Sequence, residues 1–235
     1  MTSLTNAVVL VTGANGGIGT EFVRAALDRG AAKVYASARS PREWDDDRVV
    51  PLTLDVTDAA SIAAAVHAAA DVTVLINNAG GLPQTASILD ISEDDLRQTM
   101  EINFFAPLFV ARAFAPVLAA AADAALVDIH SVASWHASGG GYSASKAALW
   151  SATNTLRLEL APRGVLVTGV HVGYVDTAMA AHTDGPKMKP ADLVSAVLDG
   201  VENDEFEIIA DEISAFVKAG LAGPIQTLYP EVGRP

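Results

Sequence analysis

Ala7-Val-Val-Leu-Val-Thr12-Gly13-Ala-Asn15-Gly-Gly17-Ile18-Gly19 is the stretch on which the reading of this chain turns. Residues 7–12 are a short apolar, β-branched run ended by glycines, the pattern of a fully buried strand. From Glu21 to Arg29 the pattern becomes helical, with Phe22, Val23, Ala26 and Leu27 on one side. Strand, glycine loop and helix in that order make a site for a dinucleotide pyrophosphate. The glycines allow a tight turn and close backbone approach, and the helix start offers free N–H groups. Gly13, Asn15, Gly17, Ile18 and Gly19 are therefore candidate cofactor-binding residues. The spacing is G-x-x-x-G-x-G rather than G-x-G-x-x-G, so the general fingerprint fits only loosely, and a ligand-free glycine turn is the alternative.

Working outward, a second strand, Lys33 to Ser37, ends in Ala38-Arg39. A carboxylate here would bind the 2′-OH of NAD, whereas a guanidinium suits the 2′-phosphate of NADP. Arg39 therefore points to NADP(H). A third strand is expected over Leu52 to Val56, its Asp55 able to accept from the adenine amino group. Asp58 is the better cap for a helix over Ala59 to Ala69. Val72 to Ile76 reads as a fourth strand, followed by Asn77-Asn78-Ala79-Gly80, whose small residues would let a flat cofactor lie against the backbone.

Tyr142-Ser-Ala-Ser-Lys146 places a phenol and an ammonium at i and i+4 of a predicted helix, hence on one face. A lysine about 5 Å from a tyrosine, at an effective dielectric near 20, favours the phenolate by about 3 kcal/mol. That would lower the phenol from about 10 by roughly two units, into the range for proton exchange with an alcohol or carbonyl oxygen.

Together, Thr12-Gly13-x-x-x-Gly17-x-Gly19, Asp55-Val56, Asn77-Asn78-Ala79-Gly80, Asn103, Ser131, Tyr142-x-x-x-Lys146 and Gly173 to Thr177 resemble the short-chain dehydrogenase/reductase family, in its compact single-domain branch. They follow the family's order over about residues 5–180. The resemblance implies an α/β Rossmann fold, a doubly wound parallel sheet of about seven strands in one domain over residues 1–235. It implies catalytic roles for Asn103, Ser131, Tyr142 and Lys146. Tyr142 would be the acid/base, Ser131 would polarise the substrate oxygen, Lys146 would tune Tyr142 and hold the nicotinamide ribose, and Asn103 would bend its helix and help hold a water behind Lys146. Asp55, Val56, Asn78, Ala79 and Gly80 would lie along the adenosine, and Val175 and Thr177 would meet the nicotinamide carboxamide.

Three departures stand out. Ser131 and Tyr142 are eleven positions apart, closer than is usual, with Ser134 and Ser138 as rival hydroxyls between them. Val172-Gly173 replaces the usual Pro-Gly. His130 stands where a small hydroxyl residue is common and reads as a packed ring in preference to a hydrogen-bonding one.

The chain has 235 residues, no cysteine and a formal charge of −13. Disulfides and thiolate chemistry are excluded. The five histidines, at 67, 130, 136, 171 and 182, lack metal-ligand spacing, so no metal is expected. The acidity disfavours nucleic acid, anionic membranes and acidic carrier proteins as partners. No run of eighteen apolar residues or basic-apolar leader is read in the chain, and a cytoplasmic location is expected.

The segment 172–190, with Met179, His182 and Pro186, is expected to wall a substrate cleft against Leu82-Pro83, Trp135 and His136. Such an apolar lining, with no arginine nearby, suits a small uncharged ketone or aldehyde and its alcohol. A helix over Ala191 to Gly200, a strand over Glu205 to Ile209, a helix over Glu212 to Leu221 and an extended tail over Pro224 to Pro235 complete the chain. Ala148, Leu149, Ala152 and Leu156 form a stripe that is either core or interface in an expected homodimer or homotetramer. The expected activity is an NADP(H)-dependent carbonyl reductase. The alternatives are a non-catalytic nucleotide sensor, a ketoacyl-type reductase and a sugar-nucleotide epimerase, the last usually needing a larger carboxy-terminal domain.

Overall fold

Apolar residues at alternate positions of β1 (Val8–Thr12) explain the layering: Val9 and Val11 face one side, Leu10 the other, and all three are fully buried. A strand covered on both faces needs helices above and below it. The computed structural model describes residues 2–232 and supplies them. Strands β1, β2 (Lys33–Ala38), β3 (Val49–Thr53), β4 (Val74–Asn77), β5 (Ala125–Ile129), β6 (Leu166–His171) and β7 (Glu207–Ile209) form one seven-stranded sheet. Its order is β3-β2-β1-β4-β5-β6-β7, with every pairing parallel. The expected doubly wound sheet is what the chain forms.

Helices α1 (Gly17–Asp28) and α6 (Pro190–Glu202) cover the Val9/Val11 face through Phe22, Ala26, Leu193 and Val197. Helices α2 (Ala59–Ala68), α4 (Ala106–Ala120) and α5 (Gly141–Leu160) cover the Leu10 face through Ile62, Val110, Phe114 and Leu156. Phe22 and Phe114, one per face, are fully buried, each worth roughly 1.5–3 kcal/mol of apolar transfer. The chain leaves β1 in opposite directions toward β2 and β4. The crevice outside their carboxyl ends is where such sheets bind ligands.

Helix α3 (Glu93–Met100) runs into α4 through a widened π turn at Glu101–Phe105. Pro107 has no N–H to continue a regular ladder, and the looser turn accommodates that loss. The run Glu93–Ala120 is, by length and composition only, apolar enough to cross a membrane, although Glu101, Asn103 and Arg112 interrupt it, so that no eighteen apolar residues follow one another. Val110, Ala111, Phe114 and Leu118 of this run are buried in the core, which accounts for its composition.

Several boundaries moved. Helix α1 begins at Gly17, not Glu21, because the extended Gly16 serves as its N-cap. Strand β3 ends at Thr53, so Asp55 follows the strand instead of closing it; its carboxylate accepts from Thr57 N–H and Oγ–H at 3.0 and 2.7 Å. Asp58 caps α2 by accepting from the N–H groups of Ala60 and Ser61. The tail is not extended: it follows α7 (Glu212–Gly220) with a single helical turn at Ile225–Thr227. Residues 233–235 of that tail lie outside the described residues.

Candidate functional site

One cleft of about 1770 Å³ opens along the carboxyl ends of the strands. Every residue expected to take part in catalysis or to hold the cofactor lines it: Gly13, Asn15, Gly17, Ile18, Gly19, Arg39, Asp55, Val56, Asn78, Ala79, Gly80, Asn103, Ser131, Tyr142, Lys146, Val175 and Thr177.

The glycine cradle at its floor is tight. A Cβ on Gly19 would stand 2.3 Å from the Gly13 carbonyl oxygen and 2.9 Å from Ala14 Cα. Thr12 Oγ accepts from the N–H groups of Asn78 and Ala79 at 2.9 and 3.0 Å, tying β1 to the loop after β4. Asn15 donates to the Ser40 carbonyl at 2.8 Å and so joins the glycine loop to the segment carrying Arg39. A Cβ on Gly17 would lie 2.8 Å from Thr177 Cγ2, so the cradle and the 172–190 segment touch. This backbone-lined space fits a dinucleotide, with the start of α1 facing the pyrophosphate position.

Farther along, Tyr142 and Lys146 occupy the first turns of α5. Gly140 precedes the helix at φ 53°, a region L-residues rarely adopt, and a Cβ there would meet the Ala86 carbonyl oxygen at 2.0 Å. That contact presses the 82–88 loop against the helix start. The Ser131 hydroxyl contacts the Tyr142 phenol and accepts from Ala133 N–H at 3.1 Å. Ser134, one of the rival hydroxyls, is buried and does not line the cleft; Ser138 does line it. Asn103, fully buried at the π turn, clamps Gly81 from both sides, accepting from its N–H and donating to its carbonyl, each at 2.9 Å.

The expected lowering of Tyr142 by Lys146 is not what the structure shows. Burial pushes the phenol up to about 12, the Ser131 hydroxyl opposing it. Lys146 Nζ donates to the Ile129 carbonyl at 2.8 Å and sits 5.8 Å from the centre of the tyrosine ring. Burial brings Lys146 down to about 8, with Asp128 countering. The i, i+4 spacing put both groups on one face but could not fix where the long lysine chain turns.

The substrate end also differs. Trp135 is not a cleft wall: a helical turn at Val132–Ser134 folds it inward, stacked on His171 with ring centres 3.6 Å apart. His136 does line the cleft and stacks on Tyr229. Arg97 reaches the rim, against the expectation of no nearby arginine, but it is paired with Glu93 at 2.6 Å. A further wall, missed in the sequence, comes from Ile213, Phe216 and Val217 of α7 and from Leu228. Their i, i+3, i+4 spacing marks an apolar helix face, but only packing shows what it faces. Asp211 anchors that wall: one carboxylate oxygen caps α7 at Ser214 N–H, 2.9 Å away, and the other accepts from Gly173 N–H at 2.7 Å. The 172–190 segment is held by reciprocal backbone bonds, Met188 N–H to Tyr174 O and Asp176 N–H to Met188 O.

His130 is not merely packed. Both ring nitrogens have partners, His171 at 3.2 Å and Thr153 at 2.9 Å.

Residues 7–187 match the family model described as short chain dehydrogenase. The short-chain dehydrogenase PC-15 of Penicillium crustosum is 40% identical over 184 residues, covering 72% of this chain and 66% of that protein, so the match spans slightly under two thirds of the relative's length. A short-chain dehydrogenase from Burkholderia cenocepacia, solved in complex with NADP, superposes with a TM-score of 0.91 at 34% identity, covering 99% of this chain and 100% of that one. An NADPH-bound carbonyl reductase from chicken fatty liver gives a TM-score of 0.79 at 27% identity, covering 90% and 96%.

Proposed function

This chain belongs to the short-chain dehydrogenase family of oxidoreductases, and from that membership we propose that it is an NADP(H)-dependent carbonyl reductase acting on uncharged ketones and their secondary alcohols. The observation that carries the reading is the Ser131 hydroxyl set against the Tyr142 phenol, with Lys146 beside them, in the cleft that also holds the glycine cradle. When bound, the nicotinamide would supply or accept the hydride.

The residues fit such a cofactor. The loop Gly13–Gly19 would cradle its pyrophosphate, Asp55 and Val56 would flank the adenine, Asn78–Gly80 would lie along the adenosine ribose, and Val175 and Thr177 would meet the carboxamide. Arg39 faces the cleft without a competing carboxylate at position 38, which suits a 2′-phosphate. The NADP and NADPH complexes of the similar structures support the same choice. Arg39→Ala is expected to lower kcat/KM with NADPH by about 10- to 100-fold, since a charge-assisted hydrogen bond contributes about 1.5–3 kcal/mol. Efficiency with NADH should barely change, and an equal loss with both cofactors would remove Arg39 from this role.

Ser131 would hold the substrate oxygen while Tyr142 donates a proton to it, or takes one in the reverse direction. Lys146, mostly protonated at neutral pH with its value near 8, would hold the nicotinamide ribose and favour the phenolate once the proton has left. Asn103 would fix the Gly80-Gly81 backbone beside that lysine. The α7 wall, where Ile213 and Phe216 are more than half exposed, supports a substrate with an apolar arm. Phe216→Ala should raise KM for an aryl or long-chain alkyl ketone by about tenfold and leave KM for a small methyl ketone unchanged. An equal change for both would take α7 out of substrate selection. A cytoplasmic homodimer or homotetramer is part of the same proposal, supported by the exposed Phe105, Phe109 and Leu158. The direct test is NADPH consumption with a panel of ketones, and no turnover of any would overturn the assignment.

A further inference from the structure

Behind Ser131 lies a line of buried polar side chains that the proposed chemistry does not use; of them His130 also borders the cleft. Asn77 donates to one oxygen of Asp128 at 2.9 Å, and the other oxygen lies 2.6 Å from Thr153 Oγ. Thr153 Oγ is 2.9 Å from His130 Nε2, His130 Nδ1 is 3.2 Å from His171 Nε2, and His171 Nδ1 is 3.3 Å from the Ser131 carbonyl oxygen. Asp128, Thr153 and His171 are fully buried, and His130 is 3% exposed. The space is shaped for these rings: a Cβ on Gly169 would stand 2.8 Å from His130 Cε1, and Trp135 covers His171.

Counting protons along the line leaves few arrangements. A carbonyl only accepts, so His171 Nδ1 must carry a hydrogen. If His171 is neutral, its Nε2 accepts from His130 Nδ1–H. His130 Nε2 then accepts from the Thr153 hydroxyl, and Thr153 can accept only from a protonated Asp128. The alternatives have the same number of protons but move one along the line: Asp128 is a carboxylate accepting from Thr153, and either His130 or His171 is an imidazolium. The Leu149 carbonyl, 2.9 Å from the same hydroxyl, is an acceptor that the helix satisfies by itself.

The charges around the line decide between them. Glu207 Oε1 faces His171 Nε2 at 3.5 Å, long for a hydrogen bond, and Glu207 is paired with Lys218. Lys146 and Arg157 act on both His130 and Asp128. Burial dominates: it raises Asp128 and lowers His130 and His171, the last against the pull of Glu207 and the Ser131 carbonyl. Separating a carboxylate from an imidazolium in this interior is costly, whereas the neutral line pairs each side chain from Asp128 to His171 without charge.

We propose that Asp128, Thr153, His130 and His171 form an uncharged relay that positions Ser131: the His171 Nδ1–H holds the serine carbonyl and so keeps its hydroxyl turned to Tyr142. The proposal rests on reading Ser131 and Tyr142 as the reacting pair. These four are positioning residues, acting through Ser131. Thr153→Val keeps the shape and cuts the line. Asp128→Leu removes its terminal donor, and Asp128→Asn restores a donor toward Thr153 and an acceptor for Asn77 without charge.

Two measurements test it together. Nitrogen-15 NMR of the histidines in the wild-type chain with NADP⁺, at neutral pH, should show rings 130 and 171 both neutral with the hydrogen on Nδ1. Ketone reduction should lose about 10- to 100-fold in kcat in Thr153→Val and Asp128→Leu, the scale of a small misplacement of a reacting group. KM and NADPH affinity should stay unchanged, and Asp128→Asn should recover most of the loss. An imidazolium at 130 or 171, a wild-type kcat in Thr153→Val, or an Asp128→Asn variant as impaired as Asp128→Leu would overturn the relay. If the wild-type chain reduces no ketone, the functional reading falls, while the NMR result still decides the relay on its own.

Discussion

Tyr142→Phe is expected to lower kcat for NADPH-driven ketone reduction by about 10²- to 10⁴-fold, the contribution of a positioned general acid. NADPH affinity should stay within about twofold, since the substitution removes one hydroxyl and keeps the ring. The basis is geometric. Tyr142 is the phenol that the Ser131 hydroxyl contacts inside the cleft, and Gly140 fixes the helix start that aims it. With burial holding the phenol near 12, Tyr142 carries its proton at neutral pH and is ready to donate it to a carbonyl oxygen. Steady-state rates and fluorescence titration with NADPH separate the two effects. A variant that keeps its turnover would take Tyr142 out of the reaction, and one that loses NADPH equally would make it a cofactor residue alone.

The second large effect belongs to the glycine cradle. Gly19→Ala should abolish measurable NADPH binding and lower Tm by roughly 2–12 °C, from an overpacking strain of about 1–3 kcal/mol. The new methyl carbon would sit 2.3 Å from the Gly13 carbonyl and 2.9 Å from Ala14 Cα, both backbone atoms that cannot rotate away. The loop must open, and its N–H groups then lose their common aim. Gly16→Ala is the control within the same loop. Its backbone is extended at φ −77°, and the nearest atom to an added Cβ is 3.4 Å away. Calorimetric titration and thermal melting should therefore show Gly16→Ala close to wild type. Equal damage from both substitutions would mean that the loop does not tolerate any methyl group, and the close-packing account of Gly19 would fail.

The strands and helices were legible in the sequence because each is a local pattern. The β-branched runs, the glycine loop and the Tyr142/Lys146 spacing depend on neighbours within a few residues, and all produced elements near their expected places. The boundaries that moved were set by particular hydrogen bonds: Asp55 turns to Thr57 and so lies outside β3, and Leu228 folds back to the cleft instead of continuing a straight tail.

The alternation of strand and helix, the single doubly wound sheet and the set of chemistry-bearing residues along its crevice were therefore determined by the sequence itself, since backbone preference and hydrophobic period act over short distances. Only the tertiary structure decided that Lys146 turns to Ile129, that Trp135 covers His171 instead of a substrate, that α7 walls the cleft, and that His130 meets His171. Each of these depends on which side chains from distant segments arrive in the same low-dielectric space. There, burial and hydrogen-bond geometry outweigh the spacing of any two residues along the chain.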